Sequence, residues 1–178
     1  MARIYPHNTV PGERWPEMVK LYPVRKWSDM DGALLSRQDR RMKMLMLHVR
    51  DFWYQTHCRN LETEQERQQE ASIGDGAVLA WIHVEPHDLD DRVTAVRKAI
   101  KNLKWHARKV EVEQVVLHSF AHLAEQTAEP EASRSIIEQV GERLVSVGFQ
   151  VHHTPWGHFN EFKMHVEGPG IAQVFKSF

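Results

Sequence analysis

This chain has a single cysteine in 178 residues, Cys58, so it cannot close an internal disulfide and is not a disulfide-stapled module. It has no apolar run approaching the roughly 20 residues that a membrane-spanning helix needs. Its N-terminus, Met1-Ala2-Arg3-Ile4-Tyr5-Pro6, lacks the apolar stretch and small-residue cleavage site of a secretory signal. Net charge is nearly absent too, at −1. Whole-chain electrostatics therefore give no pull toward nucleic acid, and any such binding must come from a local basic face. A soluble, cytoplasmic protein with no membrane attachment is expected.

The common catalytic signatures are also missing. Gly74-x-Gly76 lacks a third glycine and precedes a strand instead of a helix, which removes the dinucleotide and phosphate loops. There is no G-x-S-x-G elbow. Twelve histidines invite a metal reading, yet H-E-x-x-H and C-x-x-C are both absent. His48, His83, His118, His122, His158 and His165 fall on different elements, and adjacent His152 and His153 point to opposite faces of a strand. Neither a metal nor another cofactor is expected. His57-Cys58 sits where a strand runs into a polar loop, and Cys58 reads as a bystander.

What is present fits one domain with an N-terminal extension. In residues 1–40, Pro6, Pro11, Gly12, Pro16 and Pro23 interrupt every element while Trp15, Tyr22 and Trp27 supply aromatic anchors, the pattern of a segment that wraps over a folded body or a partner. The compact domain is placed at 41–178. Met44 to Val49 reads as a buried strand, residues 59–72 as a surface loop or short exposed helix, and Ala77 to Val84 as a second strand ended by Pro86. Asp88, Asp90 and Asp91 open a helix with a buried stripe of Val93, Val96, Ile100, Leu103, Ala107 and Val110. Its other face carries Arg92, Arg97, Lys98, Lys101, Lys104, Arg108 and Lys109, either a solvated helix face or a surface that tracks phosphates. Gln114 to His118 gives a third strand. A second helix runs from Pro130 to Val147, with Ile136, Val140, Leu144 and Val147 inward and Gly148 at its end. Phe149 to His153 and Phe159 to Val166 read as strands, the latter with Phe159 and Glu161 on one face and Asn160 and Phe162 on the other. An amphipathic piece from Ile171 to Phe178 follows. The order β, β, α, β, α, β, β predicts an α/β domain with two helices on a mainly β core.

Two blocks concentrate the chemistry: Ser119-Phe120-Ala121-His122-Leu123, and Pro155-Trp156-Gly157-His158-Phe159 with Phe162-Lys163. With the strand ending at His48 and the run Val78-Leu79-Ala80-Trp81-Ile82-His83-Val84-Glu85, they resemble the editing domain at the N-terminus of archaeal threonyl-tRNA synthetases, from about Met42 onward. The resemblance implies a three-layer α/β/β fold like that of D-aminoacyl-tRNA deacylases, usually dimeric, here a homodimer. It implies hydrolysis of the ester joining a wrong amino acid, serine or a D-amino acid, to tRNA, with the terminal 2′-hydroxyl helping to activate water.

Carried over by position, the resemblance makes His122 and Asn160 the catalytic positions. Phe120, Ala121, Ala80, His48, His158, Phe159 and Gln173 would bind substrate, and Lys98, Lys101, Lys104 and Arg108 would contact tRNA. The chain departs from the family where P-x-G is followed by two tyrosines and a lysine. His158, Phe159 and Asn160 stand there, so the family's pocket lysine is a neutral amide. Its glutamate falls at Gln173. The sequence stops at Phe178, with no synthetase catalytic domain, which predicts action in trans beside a threonyl-tRNA synthetase lacking its own editing domain. The alternative is an altered member that binds tRNA or an aminoacyl ligand without turnover. A third reading is a small-molecule or protein-binding module that keeps only the fold, in which the aromatic residues are core packing and His122 caps a helix or satisfies a carbonyl.

Overall fold

The computed structural model describes residues 41–178; the extension read at residues 1–40 lies outside the described residues. The elements follow in the order β1 (Lys43–Arg59), β2 (Glu70–Ile73), β3 (Ala77–His83), α1 (Arg92–Lys109), β4 (Gln114–Ser119), α2 (Pro130–Val145), β5 (Gln150–His153), β6 (His158–Val166) and β7 (Gln173–Ser177). Single 3-10 turns occur at Pro86–Asp88 and Gly170–Ala172.

β1 is the spine of the sheet. Its first half pairs antiparallel with β3 along one edge and with β7 along the other. Its second half pairs with β2 and β6 in the same way. β4 then adds parallel to β3, and β5 parallel to β4. The β1–β6 register shifts between Val49 and Asp51, where Arg50 is one residue too many. This bulge changes the phase of the alternation. Before it Leu45, Leu47 and Val49 face one side, and after it Phe52, Tyr54 and Thr56 take over that side.

The two sides of the sheet hold two cores. On one, Met42, Met44, Met46, Val78, Ala80, Ile82, Val115 and Leu117 pack under α1 and α2. On the other, the bulged half of β1 and its neighbours curl back over Leu79 and Val116. The layers are therefore helices, sheet and the sheet's own folded half, as expected for the α/β/β class.

The helices form for the reasons visible in their sequences. Asp91 caps α1 by accepting from the Thr94 N–H, and Pro130 opens α2 without a lost donor. Beyond α2, Gly148 holds φ +95°, a conformation that suits glycine. Several expected details change. Asp88 lies in the 3-10 turn before α1, where its buried carboxylate accepts from the Met42 and Glu85 N–H groups. Val93 is 75% exposed, because Ala95, Ala99 and His106 complete the buried stripe. Val147 lies beyond α2 and is exposed. The first strand is 17 residues long, the end of the polar stretch joins it as β2, and the last piece forms β7.

Candidate active site

The curl creates the site. Along the path β6–β1–β3–β4, Phe162 and His118 are three strand spacings apart, and their partners on β1, Tyr54 and Leu45, are well separated along that strand, so a flat sheet would hold Phe162 and His118 roughly 30 Å apart. Their ring centroids are 5.1 Å apart. Folding β6 over β3 and β4 brings together a ladder of rings that runs from the core to the surface. Tyr54 meets Phe52 at 6.0 Å, and Phe52 meets Phe162 at 5.5 Å. Phe162 reaches both His118 and Trp81. Trp81 meets Phe120 at 4.5 Å, and Phe120 meets His122 edge-on at 5.4 Å.

His118 occupies the middle of this ladder. One ring nitrogen, Nδ1, lies 2.8 Å from the Thr154 hydroxyl. Burial pushes its pKa down to about 4, so the ring is neutral at physiological pH. A neutral imidazole is both donor and acceptor. From sequence His118 is only the end of the third strand, with no role assigned; its place on the same face as Trp81, through the β3–β4 register, is the signal that identifies it.

His122 lies on the loop from Phe120 to Glu129. Both ends of this loop are tied to β3 and the residue after it. The Phe120 N–H donates to the Ile82 carbonyl, the Ala128 N–H donates to Val84, and buried His83 uses Nε2–H to hold the Gln126 carbonyl. Between the ties, Ala121 and His122 are exposed. His122 is thus an open imidazole resting on Phe120, not a buried one, and it caps no helix. Phe120 itself is half-buried.

Before Phe162, β6 carries further inward-facing polar residues. His158, Asn160 and Phe162 alternate inward, whereas Phe159, Glu161 and Lys163 face outward. His158 donates Nδ1–H to the Trp156 carbonyl at 2.8 Å, which leaves Nε2 as a buried acceptor without a partner among the described residues. The Asn160 Nδ2 donates to the His158 carbonyl at 3.0 Å, and its Oδ1 is likewise buried and unpaired. Trp81 Nε1–H is a buried, unpaired donor on the facing strand. Opposite Asn160, the Thr56 hydroxyl is engaged with Arg67 and Gln69 of the polar loop. Lys163 lies over the outer face of Trp53, 4.4 Å from the ring centroid, so it does not replace the missing lysine.

Gly157 sets this turn. Its φ is +66°, and an added Cβ would stand 2.6 Å from Glu64 Cγ and 3.2 Å from Leu61 Cβ. Its carbonyl accepts from the Asn60 and Leu61 N–H groups, pinning the polar loop beside the turn.

Other expected site residues are not brought here. Ala80 is 0% exposed and points into the core beneath the helices. His48 pairs with Val78 and shares that face, near Gly76 and Val112. Neither side chain reaches the curl, because strand alternation sends both to the opposite side. Phe159 is exposed on the outer face of β6. Gln173 begins β7 opposite Leu47, on the curl side but exposed. Lys98, Lys101, Lys104 and Arg108 belong to α1, on the helix side. Among the described residues, no three His, Cys, Asp or Glu side chains gather as metal ligands, and no helix is long and apolar enough to cross a membrane.

A curled sheet that gathers a cluster of aromatic rings around a buried imidazole, with no nucleophile–base pair among the described residues, defines a small α/β domain of the α/β/β class. The model of the archaea-specific editing domain of threonyl-tRNA synthetase matches residues 42–178, and the chain belongs to that family. An editing domain is by class an aminoacyl-tRNA deacylase. Similar proteins include threonine–tRNA ligases of Thermococcus onnurineus (28% identical), Pyrococcus horikoshii (27%) and Thermococcus kodakarensis (25%), each over 138 residues and 76% of this chain. The chain spans 22% of the length of these ligases. Among solved structures, a c-Myc DNA unwinding element binding protein aligns with TM-score 0.47 and 13% identity, over 76% of this chain and 98% of that one.

Proposed function

We propose that this chain hydrolyses wrongly charged tRNA, releasing serine or a D-amino acid from the terminal ribose. It works in trans in the cytoplasm, as a homodimer, beside a threonyl-tRNA synthetase that lacks editing. Water adds to the ester carbonyl, the bond to the ribose oxygen breaks, and the free amino acid and the tRNA hydroxyl leave. The observation that carries the reading is the ring ladder ending at His122, in a chain of an editing family, with buried unpaired polar atoms on Trp81 within the ladder and on His158 and Asn160 of β6.

The unpaired set has a chemistry. His158 Nε2 and Asn160 Oδ1 are acceptors, suited to the α-ammonium of an aminoacyl ester, and Trp81 Nε1–H is a donor suited to a carbonyl or hydroxyl oxygen. Leaving such groups unpaired costs about 1–3 kcal/mol each, and a ligand that pairs them recovers that cost. A cation there would repel the ammonium, so neutral Asn160 fits this role. His122, exposed at the mouth, positions water or the ribose, because imidazole donates and accepts near neutral pH. Among the described residues no side chain at the site is placed as a nucleophile, and the neighbouring tRNA 2′-hydroxyl assists the attacking water. Phe120 and Ala121 contribute backbone contacts.

A deacylation assay with seryl-, threonyl- and D-aminoacyl-tRNAs tests the proposal. Turnover of at least one, falling about 100-fold or more in His122→Ala with an unchanged melting temperature, is the expected result. Full activity in that variant removes the role of His122, and no turnover of any substrate overturns the reading. Asn160 in place of lysine favours one second reading, a member that binds aminoacyl-tRNA and does not turn it over. Binding without turnover selects it.

A further inference from the structure

Outside the pocket, one surface has a charge pattern found on no other helix or strand of the described residues. From Arg92 to Lys109, α1 holds seven lysines and arginines and not one aspartate or glutamate, in a chain whose net charge is −1. Arg97, Lys101, Lys104 and Arg108 are spaced four, three and four residues apart, so they fall on one line of the helix surface. That line is about 16 Å long. Lys98 sits beside it, 6.0 Å from the ring centroid of Phe178, and Lys176 of β7 reaches in over Trp105. Trp105 is 38% exposed in the middle of the cations.

Of the nine lysines and arginines described outside α1, four are paired with carboxylates. Lys43 pairs with Glu85, Arg50 with Glu167, Arg67 with Glu64, and Arg134 with Glu64 and Glu138. Arg92, at the start of α1, is held by Gln139 and Ser135 of α2. The line from Arg97 to Arg108 makes no ion pair among the described residues. Stabilisation of the helix dipole accounts for Arg108 and Lys109 in the last turn, but not for cations in the first half of the helix.

We infer that this face of α1, with Lys176 and Trp105, binds the phosphate backbone of the tRNA acceptor stem. The inference rests on the proposed function for the identity of the RNA. A polyanion matches an acid-free cationic line, and exposed Trp105 offers an apolar surface to a sugar or an unpaired base. Because α1 follows β3 through the Pro86–Asp88 turn, its first turn lies at the end of the sheet that carries Trp81 and the His122 loop. A stem lying along α1 can therefore send its 3′ end over the edge of the sheet toward the pocket on the other face.

The test uses the full chain and unfractionated uncharged tRNA, with affinity measured between 50 and 200 mM salt. Four phosphate contacts predict a slope of log K against log salt of about −3 to −4, a loss of about a hundredfold over that range. Lys101→Glu with Arg108→Glu, both exposed, lowers the steepness by about 2 and weakens binding at least tenfold at low salt. The charge-matched pair Arg143→Glu and Lys163→Glu, exposed on α2 and β6, leaves both unchanged. Equal losses in the two pairs, or no loss in the α1 pair, overturns the inference. So does a wild-type chain that fails to bind tRNA at 50 mM salt. Deacylation run in parallel separates the two ideas: turnover with no effect of the α1 pair on affinity removes only this face, whereas α1-dependent binding without turnover removes only the deacylase.

Discussion

The His118 imidazole gives the sharpest test of the pocket, because its neutrality follows from geometry alone. Trp81, Phe120 and Phe162 lie 5.7, 6.2 and 5.1 Å from it, and no carboxylate of the described residues pairs with it. Aromatic faces favour an imidazolium by roughly 0.5 to 1 kcal/mol. Burial opposes it more strongly, moving the pKa from 6.5 down to about 4. That difference is worth about 3 kcal/mol. The sign follows from proton uptake. Between pH 4 and 6.5 the unfolded chain binds a proton at this position that the folded chain refuses, so protons favour unfolding. The full contribution is present above pH 6.5 and is lost as pH falls through 4.

Burial also lowers the pKa of His106 and His153, which act in the same direction, while buried Asp88 is raised and acts oppositely. The measurement is therefore a difference. Urea unfolding of wild type and His118→Gln, in which the amide can still meet Thr154, is followed at pH 7 and pH 4. Wild type should lose about 3 kcal/mol more than the variant between those values. With an m-value of roughly 2 kcal/mol/M, the excess shift in midpoint is about 1.5 M. Equal pH dependence in the two proteins, or a His118 resonance that titrates near 6.5, refutes both the burial and the closure of the curl over β4.

Gly157→Ala should destabilise by about 1–3 kcal/mol, because it forces an L residue to φ +66° and drives a methyl into Glu64 and Leu61; an unchanged melting temperature counts against the docked polar loop. Asp88→Ala removes the acceptor of two backbone N–H groups and should cost about 2–4 kcal/mol in urea unfolding, with Asp88→Asn costing less. Phe162→Ala takes out the ring that joins Phe52, Trp81 and His118. It should cost about 2–4 kcal/mol and return the His118 pKa toward 6.5, read by its imidazole resonances; a pKa that stays near 4 would show that β4 and the loop alone desolvate the ring.

The helices were legible because their signals are local. The cap-forming acid before α1, Pro130 and Gly148 at the ends of α2, and the stripe of Ile136, Val140 and Leu144 each act within a few residues. The alternation of β6 was equally local and holds along its whole length. Two shorter elements were harder to see. β2 lies in a polar stretch and gains its strand form only by pairing with Phe52 to Gln55, and β7 gains its form by pairing with Lys43 to Leu47. Propensity does not register a partner more than 15 residues away.

The site was legible in its motifs and hidden in its assembly, and one residue explains much of the difference. Arg50 is an ordinary polar residue, yet as the extra residue in β1 it passes the inward face from Val49 to Phe52. Simple alternation continued through Arg50 would turn Phe52 and Tyr54 outward and leave Phe162 no core to join. With the bulge, β6 folds over β3, and His118 and Trp81 meet Phe162. The same geometry separates the inherited site residues. His122 and Asn160 lie on the loop and strand that the curl gathers, while His48 and Ala80, on the unbulged half of β1 and on β3, face the helices. A family match in sequence assigns all four to one site. The strand phase turns two of them, Ala80 and half-buried His48, to the helix side of the sheet, and it adds His118, for which the match gave no role.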